Sequence, residues 1–354
     1  MISNKRILVA GGTGSLGKVL VERILSGSEG NPAKVIVLSR DEAKQHNMRV
    51  EYQQKNTVTD EIIYRDFEKI LEFHIGDVRD YHTICSALNN VDIVVNAAAL
   101  KQVPTCEYFP YEAVRTNITG AENFVRAVRE HQFPVETVVG VSTDKACKPV
   151  NVMGMTKSIQ ERILITGNLS CPSTRFICVR YGNVLASRGS VIPLFREQIK
   201  KGGPVTITTP DMTRFLLSLE SAVDTIFAAV KNALPGETYV PQIPAARITE
   251  IAAALIGNQN IEIKNIGIRP GEKIHESLVS EEEGWRTYDR GDYYVIQPIL
   301  PELRTEGDII DYEYLNKEYS SADNVFSFEE VKELLRSNNL MLDQEPLMEG
   351  DLLI

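Results

Sequence analysis

The chain has 354 residues, 43% of them hydrophobic and 24% charged, with a formal net charge of −10, a balance that suits a soluble enzyme with a substantial core and offers no broad basic face to nucleic acid. No stretch reaches the roughly 18 consecutive apolar residues of a membrane span, and the first strand starts almost at Met1, so neither export leader nor anchor is expected. Cys85, Cys106, Cys147, Cys171 and Cys178 show no C-x-x-C pairing and the histidines are scattered, which excludes metal-ligand spacing and fits the reducing cytoplasm.

In chain order, Arg6-Ile7-Leu8-Val9-Ala10 predicts a buried strand, Gly11 to Gly17 a glycine turn, and Lys18 to Leu25 an amphipathic helix. Glycines at 11, 14 and 17 let the backbone turn tightly, approach a pyrophosphate without a Cβ clash and pack helix on strand, while the N–H groups of the helix start face the anion. With a second strand at Lys34 to Leu38, the residues Gly11, Thr13, Gly14, Ser15, Leu16 and Gly17 form a candidate dinucleotide site. Their G-x-x-G-x-x-G spacing is one residue wider than the fingerprint of two-domain dehydrogenases. At the end of that strand Ser39 and Arg40 offer a hydroxyl and a guanidinium, which favours NADP over NAD. Asp41 and Glu42 pull the other way, or simply open the next helix, where early acids offset the dipole.

Leu71 to Ile75 predicts a third strand leading into Gly76-Asp77-Val78-Arg79-Asp80. Asp92 to Val95 predicts a fourth, leading into Asn96-Ala97-Ala98-Ala99, whose small side chains let the chain run close to a flat ligand. Gly76-Asp77-Val78 reads equally as a tight turn with a capping aspartate. Next come a helix from about Pro110 to Glu130 with Asn117 inside it, a fifth strand from Glu136 to Val141, and a helix from near Asn151 that carries Met153 and Lys157. Ser142-Thr143-Asp144-Lys145 therefore falls at the carboxyl end of a strand, where open α/β sheets place their ligands. Asp144 alone reads as a turn cap and Lys145 alone as a surface lysine; together, beside the glycine turn, they read as functional. Cys147 has no histidine nearby in sequence to activate it and is expected only to pack.

From about residue 183 the pattern changes. Gly182 to Pro193, with Asn183, Val184, Ser190 and Val191, predicts a binding loop that starts a helix. Pro204 to Phe215, with Thr206 and Arg214, predicts a short strand, and Arg269-Pro270-Gly271-Glu272-Lys273 a turn. Arginines suit diphosphate oxygens and a glutamate suits paired ribose hydroxyls, although surface ion pairs are the commoner fate of such residues. The expected architecture is α/β: a Rossmann-type, doubly wound parallel sheet over residues 1–182, to which later segments have room to return, and a smaller C-terminal α/β substrate lobe over 183–300. A tail over 301–354, with one helix near Ser327 to Ser337, is expected to wrap the protein or contact another subunit.

These linked motifs resemble the UDP-N-acetylglucosamine 4,6-dehydratase family of extended short-chain dehydrogenases, which serve bacterial surface-polysaccharide, flagellin-sugar and capsule synthesis. The resemblance runs from about Lys5 to Leu300. It rests on the Gly11 to Gly17 turn, Ser39 to Glu42, Gly76 to Asp80, Asn96 to Lys101, Thr116-Asn117, Ser142 to Ala146, Met153 to Lys157, Arg180-Tyr181-Gly182-Asn183-Val184 and Arg269 to Lys273, in that order. The wider superfamily carries a tyrosine four residues before the lysine; here the position is Met153, as in some members of the family. A thioether has no ionisable proton, so a neighbour must replace the phenolate.

The resemblance implies NADP, with NAD as the alternative, a UDP-N-acetylhexosamine substrate, and a homo-oligomer that engages neither nucleic acid nor membrane. It places Asp77 and Val78 beside the adenine, Ala97, Ala98 and Lys101 along the cofactor and sugar cleft, and Lys157 on the nicotinamide ribose, with Asn117, Tyr181, Asn183 and Val184 also on the cofactor side. Asn183, Ser190, Val191, Thr206, Arg214, Arg269 and Glu272 would contact the UDP, together with Lys101 toward the sugar.

The implied reaction moves hydride from sugar C4 to NADP+, loses water across C5 and C6 and returns the hydride to C6, so the enzyme is a lyase with internal redox chemistry. The Asp144-Lys145 pairing suggests that Asp144 protonates the departing C6 hydroxyl, Lys145 is the base at C5 and Thr143 bonds the C4 oxygen. A carboxyl beside an ammonium stays ionised in water, so substrate-induced desolvation must favour its neutral form. The base at C4 stays open among Lys157, Asp144 and a water chain. Two other classes remain: a nucleotide-sugar 4-epimerase, against which the Asp-Lys pair argues, and a non-catalytic NADP-binding sensor, against which retention of Asp144, Lys145 and Lys157 argues. Tyr312-Glu313-Tyr314 and Tyr319 to Asn324 look like the tail of soluble inverting members, which leans the reading toward inversion at C5.

Overall fold

The computed structural model describes residues 1–58, 67–185, 190–304 and 313–344; Ala186 to Gly189 of the expected binding loop, and Tyr312, lie outside them. The first half alternates strands and helices: β1 Arg6–Ala10, α1 Ser15–Leu25, β2 Lys34–Ser39, α2 Glu42–Val58, α3 Phe67–Ile70, β3 Leu71–Ile75, α4 Tyr81–Ala87, β4 Ile93–Asn96, α5 Val103–Tyr108, α6 Pro110–Ala113, α7 Gly120–His131, β5 Thr137–Thr143, α8 Val152–Ser170 and β6 Arg175–Tyr181. The strands are short apolar runs covered on both faces, as a parallel sheet between helices requires. Ile7, Val9, Val35, Val37, Ile93 and Val95 enter one core with α1. Leu8, Ala10, Ile36, Leu38 and Val94 enter the other with α4, α7 and α8. The parallel order β3-β2-β1-β4-β5-β6 is doubly wound and opens a crevice at the carboxyl ends where the winding reverses, between β1 and β4.

The helix expected from Pro110 is not uniform. Between α6 and α7 the residues Val114–Thr119 are π-helical, a distortion that concentrates at functional sites. Within it Asn117 accepts from the Leu100 N–H at 2.8 Å and donates to the Leu100 carbonyl and the Thr156 hydroxyl, each at 3.0 Å. It thereby clamps the loop after β4 to α8.

The second half comprises β7 Asn183–Val184, α9 Val191–Lys200, β8 Val205–Ile207, β9 Thr213–Leu217, α10 Leu219–Asn232, β10 Thr238–Pro241, β11 Ala245–Arg247, α11 Ile248–Ile256, β12 Ile263–Asn265, β13 Ser277–Val279, α12 Glu281–Gly284, β14 Thr287–Arg290, β15 Tyr293–Ile296, β16 Tyr319–Ser320 and α13 Phe328–Ser337. The one strand expected between Pro204 and Phe215 is two, β8 and β9, interrupted at Pro210, which has no N–H for a ladder. β10 joins β6 in parallel, and β15 and β14 continue that edge antiparallel to give a nine-stranded sheet. β7, β8, β9, β11 and β12, with α9, α11 and α13, build a lobe beside the sheet, its core holding Ile192, Phe195, Ile251, Leu255, Val331 and Leu335, while β13 and β16 pack on the core of the sheet through Leu278, Val279 and Tyr319.

Two of the ties between the halves of the chain stand close to the cleft or the sheet core. Asn151 caps α8 by accepting from the Gly154 N–H at 2.8 Å and donates to the Gly271 carbonyl at 2.8 Å. Arg180, buried on β6, pairs with Glu161 of α8 at 2.6 Å and with Glu283 of α12 at 2.7 Å. Burial works against the Glu283 carboxylate, but Arg180 outweighs it and holds the group at about 2. Arg180→Leu strands two buried carboxylates and is expected to cost about 3–5 kcal/mol in urea unfolding; an unchanged midpoint contradicts this. Because the folded pKa of Glu283 lies below its ordinary 4.5, its share of stability is full above that pH and disappears as pH falls toward 2.

Candidate active site

A cleft of about 800 Å³ runs along the carboxyl ends of β1, β2, β4, β5 and β6, and the lobe forms its far wall. At one end lies the glycine turn, with Gly11, Thr13, Gly14, Ser15, Leu16 and Gly17 all in the lining. Gly11 has φ +79°, and a Cβ there would stand 2.8 Å from the Ala98 nitrogen; on Gly17 it would stand 2.5 Å from the Gly11 oxygen. Only glycine fits either place. Gly14 is the N-cap of α1 and gives no side-chain cap, which leaves the N–H groups of the first turn for an anion. Ala97, Ala98 and Val78 give this end a small, flat wall.

At the end of β2, Ser39 and Arg40 line the same region, the Ser39 hydroxyl 2.8 Å from that of Thr13. Lys44, one turn into α2, joins them and lies 3.2 Å from Asp41. Lys44 was not singled out from the sequence, where it reads as an ordinary residue of the first turn of α2. Asp77 is not in the lining: it accepts from the Arg79 N–H at 2.9 Å and Nε at 2.8 Å and shapes the turn after β3. Asn117 also stays behind the wall, spent on Leu100 and Thr156.

β5 delivers the central group. It ends at Thr143, and one 3₁₀ turn, Asp144–Ala146, follows. This turn points Lys145 into the cleft and folds Asp144 beneath it with 0% exposure. The Thr143 hydroxyl, which faces the cleft, donates to Asp144 Oδ1 at 2.9 Å. Lys145 Nζ donates to Asp144 Oδ1 and to Asn183 Oδ1, each at 3.1 Å, and stands 3.6 Å from Glu276 Oε1. Burial disfavours the ammonium, but Asp144 and Glu276 outweigh both that and the nearby Arg214, so Lys145 titrates above its ordinary 10.5. Glu276, which precedes β13, lay just beyond the turn motif that the sequence reading singled out.

Met153 lines the cleft and packs with Cys106 and Ala113. Lys157, one turn on, donates to the Val141 carbonyl at 2.5 Å and to Gln160 Oε1 at 2.7 Å. Burial pulls it down from 10.5 to about 8, with Glu161 opposing. Tyr181 is also in the lining, but burial pushes its buried phenol well above 10, so it is no substitute for the missing base. Burial likewise pushes the Cys147 thiol to about 12, which leaves it unreactive.

Lys101, Asn183, Val184, Ser190, Val191, Thr206, Arg214, Arg269 and Glu272 close the other end, over an apolar floor of Phe195, Ile207, Met212 and Ile248. Glu272 accepts from the Thr208 hydroxyl at 3.2 Å. Arg214 donates to the carbonyls of Thr213, Ile274 and Lys273 at 2.7, 3.0 and 2.9 Å; it fixes the chain beside Glu276 as much as it faces a ligand. Among the described residues no group of three or more His, Cys, Asp or Glu is placed to hold a metal ion, and no helix is long and apolar enough to cross a membrane.

A doubly wound α/β sheet with a glycine turn at its switch point and a lobe-covered cleft defines the class, that of the extended short-chain dehydrogenase fold. The family described as "Polysaccharide biosynthesis protein" matches residues 7–298. A UDP-glucose 4-epimerase of Rickettsia typhi is 42% identical over 345 residues, covering 95% of this chain and 96% of its own. The X-ray structure of Pen from Bacillus thuringiensis superposes with a TM-score of 0.85 at 33% identity, covering 96% of this chain and 100% of Pen. DesIV of Streptomyces venezuelae, a dTDP-glucose 4,6-dehydratase with NAD and TYD bound, shares the fold, with a TM-score of 0.64 at 20% identity over 76% of this chain and 86% of its own. The chain belongs to the polysaccharide biosynthesis protein family.

Two lysines of one cleft thus carry opposite shifts. In protein labelled at lysine Cε, with Lys145→Arg and Lys157→Arg to assign the signals, Lys157 is expected to titrate near pH 8 and Lys145 above 10.5. Equal midpoints would refute the electrostatic reading of the cleft.

Proposed function

We propose that the protein is an NADP-dependent UDP-N-acetylglucosamine 4,6-dehydratase that makes a 4-keto-6-deoxy sugar nucleotide, with inversion at C5, for surface glycans, and works in the cytoplasm as a homo-oligomer. The observation that carries the reading is the carboxylate-bound Lys145 at the end of β5, beside the hydroxyl of Thr143, in a cleft that Lys157 also lines. An epimerase needs proton transfer at O4 alone. A dehydratase also needs a base at C5 and an acid at O6, and this cleft holds groups for all of them.

The glycine turn, the uncapped start of α1 and the Ala97-Ala98 wall fit a nicotinamide dinucleotide, and Ser39, Arg40 and Lys44 fit its 2′-phosphate. Once bound, that group would supply the hydride acceptor for C4 and the hydride donor for C6. Lys157, whose amine is accessible near pH 8 and whose two N–H bonds are held by Val141 and Gln160, keeps a lone pair for the O4 proton. Lys145 passes a proton to Asp144 along their 3.1 Å hydrogen bond and, as an amine, takes the C5 proton. Asp144 has no exposed surface, so it acts on O6 through Thr143: its proton moves to the Thr143 oxygen while the Thr143 proton leaves with O6 as water. For inversion the new C5 proton must arrive on the face opposite Lys145: the one that Lys157 took from O4 is delivered there through water, and Lys145, keeping the proton it removed, is an ammonium again. The net loss is one water. Arg269 and Glu272 serve the diphosphate and the uridine ribose.

The second reading, a 4-epimerase, is favoured by the name of the Rickettsia relative. Incubation with UDP-N-acetylglucosamine and mass spectrometry separates the two. A product lighter by one water is expected; an isomer of unchanged mass identifies an epimerase, and no product a binding protein. Lys145→Ala is expected to lower kcat by about 10²–10⁴. Arg40→Ala and Lys44→Ala are each expected to weaken NADP+ about tenfold, leaving NAD+ unchanged, in titrations of protein fluorescence; equal losses for both dinucleotides contradict the 2′-phosphate assignment.

A further inference from the structure

Glu276 has no place in the reaction as set out above, yet its surroundings are those of a working group. It is buried, it lies in the cleft wall, and its Oε2 has no hydrogen-bond partner. A buried carboxylate is retained only where a cation compensates it. Lys145 Nζ stands 3.6 Å from Oε1, and Lys273 Nζ stands 3.7 Å from Oε2. Asp144 reaches Lys145 from the end of β5, whereas Glu276 reaches it from the segment that follows the Arg269–Glu272 turn. Three contacts seat that segment: Asn151 donates to the Gly271 carbonyl at 2.8 Å, Lys273 Nζ to the Cys147 carbonyl at 2.7 Å, and the Ser321 hydroxyl accepts from the Glu276 N–H at 3.0 Å. Arg214 braces the carbonyls of Lys273 and Ile274 immediately before it.

We propose that Glu276 is a positioning residue for Lys145: the proton-transfer group of the cleft is a triad, Asp144-Lys145-Glu276, one carboxylate of which arrives on the same segment that carries the diphosphate-binding turn. The proposal rests on the dehydratase reading for its chemistry but not for its geometry. The charged groups facing Lys145 are Asp144 and Glu276, which favour the ammonium, and Arg214, which opposes it; Lys273 shares Glu276. With Glu276 in place the amine is held firmly as a cation until sugar enters. Without it the amine forms more readily but is no longer fixed against Asn183 and Asp144.

The experiment titrates Lys145 directly in the full-length, NADP+-loaded protein without sugar, by NMR of lysine labelled at Cε, and sets the pH profile of turnover beside it. Glu276→Gln is expected to lower the Lys145 midpoint by about one pH unit and to move the basic limb of kcat/KM, where the ammonium is lost, down by the same amount. Glu276→Asp, with charge kept but withdrawn by one methylene, gives a smaller fall and supplies the test should the amide variant not fold. An unmoved or raised midpoint in both variants, or a uniform loss of kcat with an unmoved limb, overturns the proposal. If the midpoint falls while wild-type protein releases no water from the sugar, the triad stands and the dehydratase reading is what fails.

Discussion

A lysine ammonium held between two carboxylates is the constraint on which the cleft depends. In low dielectric neither the amine nor the acids could stay charged alone, and mutual attraction offsets desolvation only where the geometry is close. The carboxyl end of β5 supplies that closeness for Asp144 and Lys145, because the strand stops at Thr143 and one tight turn sends adjacent residues to opposite sides, the acid under the wall and the amine into the cleft. Glu276 adds its charge from the other half of the chain. The glycine-turn end of the cleft, its lobe end and the Asp144-Lys145-Glu276 cluster are therefore tied to one packing arrangement rather than to three separate loops.

The second lysine of the cleft is set apart from the first by its surroundings. Lys157 sits one turn past Met153 and is buried without a carboxylate in hydrogen-bonding reach, so desolvation carries it toward the amine, while Lys145 is carried toward the ammonium. Groups of one chemical type pushed apart in this way are suited to divide acid and base work, as the proposed reaction requires. The thioether of Met153 packs with Cys106 and Ala113 and adds an apolar patch to the cleft wall.

Much of the fold was legible because the physics that forms it is local. The alternation of Ile7 and Val9 against Leu8 and Ala10, and the glycines that no other residue can replace, specify a strand and turn within twelve residues. The site was legible as a set of loops at strand ends, but not residue by residue, since spacing does not say which way a side chain turns. Asp77, Asn117 and Asp144 lie in expected motifs yet serve the wall from behind, as a turn former, a clamp and a buried counter-charge. The π-helical stretch that aims Asn117 leaves no mark in the hydrophobic pattern. Glu276 was invisible for the converse reason: its partner lies more than a hundred residues away, and only the docking of the two halves brings them together.

The most direct measurement is hydrogen exchange at sugar C5. Wild-type protein incubated with UDP-N-acetylglucosamine in heavy water is expected to place deuterium at C5 of the product, read by NMR, and Lys145→Met, which keeps length but loses the amine, is expected to bind the sugar nucleotide and place none. Exchange at C5 by Lys145→Met at the wild-type rate would contradict the account, for the proton would then travel by some group other than the lysine that Asp144 and Glu276 hold.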